Sequence, residues 1–234
     1  MSKEEDINLY FNEKKFDLLA KEFKKHFNNL SHNFISNFLI KIIISKNDVL
    51  LNELLSDINE INFFDKNRRT LLMYSCLIND NKIFDIIFTK KQNFNSQDLL
   101  KNNALHFAVK FYGMKRNYSN FDKIKKLLTT EININSVNFF NQTPLMFAAI
   151  YNDTNILEYL CEKGADPNIS NGWGDFTPLM TAVRLNNQEL VQTIIDKNVN
   201  INDSNKIFGY TALDIARVFN FKEIEKILIK KLDK

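Results

Sequence analysis

The strongest constraint on what this chain can fold into is an internal repeat of about 33 residues. Thr143-Pro144-Leu145-Met146-Phe147-Ala148-Ala149 returns as Thr177-Pro178-Leu179-Met180-Thr181-Ala182-Val183 and, shortened, as Thr211-Ala212-Leu213-Asp214-Ile215-Ala216. Upstream, Thr70-Leu71-Leu72-Met73-Tyr74-Ser75-Cys76 and Asn103-Ala104-Leu105-His106-Phe107-Ala108-Val109 keep the same frame; Asn37-Phe38-Leu39-Ile40-Lys41-Ile42 keeps it more loosely. The central Leu stands at positions 39, 72, 105, 145, 179 and 213, with spacings of 33, 33, 40, 34 and 34. A second apolar anchor follows each: Leu50, Ile83, Ile124, Ile156, Leu190 and Ile224. Its offset from the central Leu is the same in every unit except the third, where it is longer. Asn62, Asn95, Asn135, Asn168 and Asn202 add a third marker in phase. Self-similarity at this period means one helical or β unit stacked on copies of itself.

The residue types explain the period. The slot opening each unit holds Asn37, Thr70, Asn103, Thr143, Thr177 and Thr211, all suited to cap a helix through a side-chain oxygen. Pro144 and Pro178 come next, where a missing N–H costs nothing and the fixed φ suits the first helical position. About two helical turns follow, with a small residue at one recurring slot: Ser75, Ala108, Ala148, Ala182 and Ala216. Small side chains there let neighbouring helices approach closely. A second helix carries apolar residues at helical spacing, as in Ile156-Leu157-Glu158-Tyr159-Leu160 and Leu190-Val191-Gln192-Thr193-Ile194-Ile195. In one unit it ends at Gly164, where a left-handed C-cap is expected. Helices this short are not stable alone in water. Each must bury its apolar face on the next unit, so stability is a sum of neighbour interfaces along a stack.

Thr143-Pro144-Leu145, the alanines behind it and Gly164-Ala165-Asp166-Pro167-Asn168 resemble the ankyrin repeat in period and opening motif. Asn103-Ala104-Leu105-His106-Phe107-Ala108 is similar to the same opening. The likeness is strong at Thr143 and Thr177, good at Asn103 and Thr211, moderate at Thr70 and weak at Asn37. It implies an all-α solenoid over residues 34–234, in six helix–turn–helix units of about 34–64, 65–97, 98–137, 138–170, 171–204 and 205–234. Family glycines are often replaced, for example by Asn152 and Asn186, and Asn enters left-handed turns at tolerable cost. Residues 1–33 read as helical, notably 13–27; Ile7 and Leu18 repeat the gap between the two anchors, so a degenerate N-terminal cap is expected. The Lys-rich stretch 222–234 is expected to be the solvated outer helix of the C-terminal unit.

Composition narrows the function classes. The 234 residues carry a net charge of +3 with no long block of one sign, so the concentrated basic footprint of a nucleic-acid binder is missing. A nucleic-acid-associated alternative would have to use scattered residues such as Arg68, Arg69, Lys115 and Arg116. The N-terminus lacks the apolar core of a signal peptide. The most apolar run, 34–44, is too short to span a bilayer and contains Lys41. Cys76 and Cys161, the only cysteines, read as two buried reduced thiols and favour a reducing compartment, the cytoplasm. A monomer is expected.

Catalytic constellations are equally scarce. His26, His32 and His106 show no metal-ligand spacing with Cys or carboxylates. His106 occupies the slot where the family commonly carries a structural histidine. Gly172 and Gly174 flank Trp173 in a turn; they lack the pattern of a phosphate loop. No cofactor, metal or catalytic residue is expected, and an enzyme would need a site the sequence does not display.

The resemblance does imply a binding face. Turn tips and first helices of ankyrin repeats line a concave groove that takes a protein partner. The tips here are Lys66, Asn67 and Arg69; Leu99, Leu100 and Asn102; Phe139, Phe140 and Gln142; Trp173, Asp175 and Phe176; and Ile207, Phe208 and Tyr210. The groove-facing helix ends are Leu77 and Ile78, Lys110 and Phe111, Ile150 and Tyr151, and Arg184 and Leu185. Three successive tips carry two aromatics each, and aromatics with Arg dominate binding hot spots. The candidate strip is therefore Arg69, Phe111, Phe139, Phe140, Tyr151, Trp173, Phe176, Arg184, Phe208 and Tyr210. The plainer alternative is that one aromatic of each pair packs under the neighbouring turn. The third unit has eight extra residues around 113–120, expected as a longer loop, with Lys115, Arg116 and Tyr118 as a second contact site if it is more than that.

Overall fold

The computed structural model describes residues 2–115, 119–172, 174–197 and 199–233. Among them the chain is helical, with only isolated bridges at Glu60–Lys91, Phe64–Thr70 and Ser204–Thr211 in place of strands. It divides into two compact units, residues 1–99 and 100–234.

The first unit holds α1 (Lys3–Asn12), α2 (Phe16–His26), α3 (His32–Ile44), α4 (Asp48–Leu55), α5 (Leu71–Cys76) and α6 (Asn81–Phe88). They pack as the pairs α1–α2, α3–α4 and α5–α6. Across pairs, α3 lies on α5, while α2, α4 and α6 form a second row. The second unit repeats this plan with α7 (Ala104–Lys115), α8 (Ser119–Leu127), α9 (Pro144–Ile150), α10 (Thr154–Glu162), α11 (Pro178–Arg184), α12 (Gln188–Ile195), α13 (Ala212–Val218) and α14 (Lys222–Leu232). Odd-numbered helices pack on odd, and α10, α12 and α14 make the other row.

The recurring sequence slots become the core. Leu39, Leu72, Leu105, Leu145 and Leu179 are buried, as are all six second anchors. Each such side chain contributes about 1.5–3 kcal/mol by leaving water. Leu213 is only half-buried, on the last first-row helix of its unit. Ser75, Ala108, Ala148, Ala182 and Ala216 are buried at the contacts between first helices.

Caps follow from the same slots. Thr70, Thr143, Thr177 and Thr211 accept hydrogen bonds from the N–H of Met73, Met146, Met180 and Asp214. Asn103 accepts from His106 at 3.1 Å. The second helices α4, α6, α10 and α12 are capped by Asn47, Asp80, Asp153 and Asn187. The closing asparagines stitch neighbours together. Asn135 accepts from the N–H of Asp166 at 2.9 Å, and Asn168 accepts from that of Asn200 at 2.8 Å. Asn152 and Asn186 do adopt positive φ, 58° and 53°, between the paired helices.

Three local expectations are corrected. Asn37 is not a cap: it sits inside α3 and bonds Asn33, while Ser31 caps that helix by accepting from Phe34. The extra turn lets α3 reach further back. Leu18 is exposed and Leu19 takes the buried anchor position, because the left-handed Lys14 delays the start of α2. The described residues of the third-unit insertion, 113–115 and 119–120, are helix and not loop. There α7 runs for 12 residues where α9, α11 and α13 run for 7. Its extension is held by buried Tyr112 against Phe121, with ring centroids 6.1 Å apart. Gly113 lies on Tyr151 so closely that an added Cβ would be 2.6 Å from that side chain. Arg116 and Tyr118 lie outside the described residues.

Candidate functional site

The tips of the second unit are built by asparagine. Asn138 Oδ1 accepts from the N–H groups of Phe140 and Gln142, both at 2.9 Å. Asn171 accepts from Phe176 at 3.2 Å, and Asn205 from Phe208 at 2.8 Å. Each Asn closes a tight turn on its own backbone, and the residues inside the turn are pushed outward. Successive tips are joined: the Phe139 N–H donates to the Leu100 carbonyl and the Gly172 N–H to the Phe140 carbonyl, each at 2.7 Å. Lys206 pairs with Asp175 at 3.1 Å, and a Cβ on Gly174 would sit 3.2 Å from the tip of Ile207.

This arrangement decides which aromatics face solvent. Phe139 is 68% exposed and meets half-buried Phe140 edge-on at 5.5 Å. Phe208 and Tyr210 are both exposed and stack at 5.8 Å. Phe176 is half-buried, with the Arg184 guanidinium 4.9 Å from its ring centre. Ile207 adds a further 64% exposed side chain. Tyr151 is half-buried against Gly113, and that burial raises its hydroxyl pKa above the ordinary value. Phe111 is half-buried on α7.

Arg69 does not join them. It belongs to the first unit, where its Nε lies 3.7 Å from the carboxylate of buried Asp98. Trp173 lies outside the described residues. Val218 and Phe219, absent from the sequence-derived strip, are both more than half exposed at the end of α13. The period alone locates them: they stand one repeat beyond Arg184 and Leu185, which stand one repeat beyond Ile150 and Tyr151.

Other polar groups are structural. His106 is buried, with Nδ1 3.2 Å from the Asn103 N–H it accepts from and Nε2 3.0 Å from the Gln142 carbonyl. Nδ1 also stands 2.7 Å from Asn103 Oδ1, so both ring nitrogens have polar partners. Burial pushes the Cys161 thiol up to about 11, which removes the thiolate a reactive cysteine needs. Among the described residues no group of three His, Cys, Asp or Glu side chains could hold a metal ion, and no helix is long and apolar enough to cross a membrane.

Comparison with known proteins decides the family. A family model described as ankyrin repeats (3 copies) matches residues 72–171 and 114–205, together more than half of the chain. The chain belongs to the ankyrin-repeat family. Among solved structures, an ankyrin repeat domain from Acinetobacter baumannii AYE has a TM-score of 0.70 at 23% identity, covering 82% of this chain and 96% of that one. The ankyrin repeat domain of Bcl-3, a member of the IkappaB protein family, has a TM-score of 0.71 at 19% identity, covering 82% and 85%. Both likenesses show the fold. Ankyrin repeat domain-containing protein M-T5 of Myxoma virus (strain Lausanne) is 37% identical over 75 residues, 31% of this chain and 16% of the viral protein. Ankyrin repeat protein T5 of Rabbit fibroma virus (strain Kasza) is 36% identical over 53 residues, 23% and 11%. The matched segments span only a small part of those viral proteins.

Proposed function

We propose that this ankyrin-repeat protein is a non-catalytic binding module that takes a protein partner on the tips and first-helix ends of residues 100–234. Ankyrin repeats generally serve as protein–protein interaction modules. One observation carries the assignment of the face. Phe139, Ile207, Phe208, Val218 and Phe219 each leave more than half of their surface in water, on two tips and one helix end of the same unit. Apolar side chains held outward by rigid backbone lose little conformational freedom on binding, which favours affinity. Phe140, beside Phe139, and Phe176 and Tyr151 are half-buried in the same unit, and Arg184 over Phe176 supplies charge. The exposed pair Phe208–Tyr210 favours recognition over packing under a neighbouring turn.

The same reading takes residues 34–234 as six repeats and 1–33 as an N-terminal cap, supported by the α1–α2 pair and its left-handed Lys14. It places the protein as a monomer in a reducing cytoplasm, supported by two cysteines outside any disulfide. Nucleic acid is not the favoured partner, since Arg69 is engaged with Asp98.

The test is affinity capture from the native cell, followed by binding measurements with the identified partner. Combined Phe139→Ala and Phe208→Ala substitution is expected to weaken binding by about 30-fold or more, the scale of a hot spot. Both side chains are exposed, so the far-ultraviolet circular dichroism should not change. Unchanged affinity would move the partner off this face.

A further inference from the structure

We infer that Asn171 is a self-modification site, where the side-chain amide is displaced by the Gly172 nitrogen and then hydrolysed to a carboxylate. It is the only asparagine of the chain that precedes a glycine. Asparagine is chemically labile, and the loss begins when the next backbone nitrogen reaches Cγ. Glycine has no Cβ to stand in that path, and Gly172 is exposed.

The tip prepares the amide for attack. The Asn171 N–H donates to the Phe176 carbonyl at 3.0 Å, and the Phe176 N–H donates back to Asn171 Oδ1 at 3.2 Å. That second donor makes Cγ more electrophilic and meets the negative charge that develops on Oδ1. In the first step hydroxide takes the proton of the Gly172 N–H, and the nitrogen bonds to Cγ. The Cγ–Nδ2 bond breaks, and Nδ2 takes a proton from water and leaves as ammonia. A cyclic imide of residues 171 and 172 remains. Water then opens the ring at one of two carbonyls. Addition at Cγ gives Asp; addition at the main-chain carbon gives isoaspartate. The Phe176 N–H polarises the Cγ carbonyl, so the folded tip favours Asp. The contact that opposes cyclisation is the hydrogen bond from the Gly172 N–H to the Phe140 carbonyl, at 2.7 Å, which must be given up.

An independent observation shows that the product fits. Asp65 stands at the equivalent place in the first unit: its N–H donates to the Arg69 carbonyl as that of Asn138 donates to Gln142, each at 3.0 Å. Its Oδ1 accepts from the N–H groups of Asn67 and Arg69 at 2.9 and 2.8 Å. Asn138 Oδ1 makes the same two bonds to Phe140 and Gln142. A carboxylate therefore builds this turn as well as an amide does, and Asn171 can change without dismantling its tip. The change lowers the net charge of +3 by one and puts a carboxylate on the tip between those of Phe139 and Phe208. Any effect on a partner rests on the binding face proposed above; the chemistry at Asn171 does not, so either can fail alone.

The experiment ages the whole protein at pH 8, folded and separately in urea, and follows each asparagine by peptide mapping with mass spectrometry. Asn138 and Asn205 are internal controls, since they hold the same place ahead of Phe139 and Lys206. In the folded protein Asn171 is expected to convert about tenfold faster than either, with Asp in excess of isoaspartate. In urea the excess should reverse. Gly172→Ala should slow conversion about tenfold in urea as well as folded; the unfolded arm matters because an added Cβ would lie 3.1 Å from the Phe140 carbonyl oxygen. Asn171→Asp should leave the urea midpoint unchanged. Equal rates at the three asparagines of the folded protein would overturn the inference. So would an Asp share no greater in the folded protein than in urea, or a lowered midpoint for Asn171→Asp.

Discussion

In residues 1–99 the left-handed backbone positions are held by Lys14, Lys46 and Arg68. In residues 100–234 they are held by Lys101, Asn141, Asn152, Asp175, Asn186 and Asn220, with Gly164, Gly174 and Gly209 beside them. The turns are equivalent, but the residues that make them are not. Asn, Asp and Gly enter the left-handed region easily, while Lys and Arg pay for crowding Cβ against the backbone. Apart from Lys101, the second unit thus adopts its turns in agreement with local preference; the first adopts them against it, with Leu39, Leu50, Leu72 and Ile83 buried on the helices they join. The surfaces differ in the same way. The first unit lines the recesses along α3 with amides, carboxylates and lysines; the second pushes aromatics outward. What repeats along this chain is a backbone geometry, and each unit furnishes the exposed side of it separately.

That comparison can be broken or sharpened. The largest effect is expected in the shared part. Leu72→Ala in the first unit and Leu179→Ala in the second should each lower stability by about 2–5 kcal/mol in urea denaturation, because both leave a cavity at a fully packed slot. A loss under about 1 kcal/mol at either site would remove it from the common core. Next comes the cap partner, which differs between units. His106→Ala strands the buried Asn103 N–H, while the Gln142 carbonyl keeps the Asn138 N–H, and should cost about 1–3 kcal/mol. At the equivalent slot Met73 offers only a sulfur, 3.4 Å from the Thr70 N–H. Met73→Leu should therefore cost less than His106→Ala.

Smaller still is relief of the left-handed residues. Lys46→Gly and Arg68→Gly should each raise stability by about 0.5–1 kcal/mol, after the extra freedom of Gly in the unfolded chain is set against the relief. Asn152→Gly and Asn186→Gly should change it little. Equal gains in both sets would show that the units do not differ in turn strain. The smallest effect is chemical. With its thiol raised to about 11, Cys161 should be mostly unreactive to a thiol-specific disulfide reagent at pH 8, and its rate should climb as pH rises toward that value. An ordinary cysteine carries about a hundredfold more thiolate at pH 8. Fast labelling there would show that the site is open to water.

Much of the fold was legible because its slots recur. Thr143, Thr177 and Thr211 cap helices, Leu145 and Leu179 are buried, and Ala148 and Ala182 let helices close up. Legibility failed where recurrence failed. Nothing in the residues around Asn37 says that the cap moves back to Ser31, and Leu18 and Leu19 are interchangeable until the turn at Lys14 sets the phase of α2. The insertion, expected as a longer loop from its extra length, is helical in its described residues: Tyr151 against Gly113 and buried Tyr112 outweigh the low helix propensity of that glycine.

The sequence by itself determined the stack. A regular period, with helices too short to stand alone, leaves no other way to bury the apolar slots. Only the tertiary structure decided which side chains remain in water. Phe139 and Phe140 are neighbours of one residue type, yet the Asn138 turn and the hydrogen bond to Leu100 leave the first exposed and tuck the second in. Exposure depends on contacts made a full repeat away, and adjacent letters do not record them.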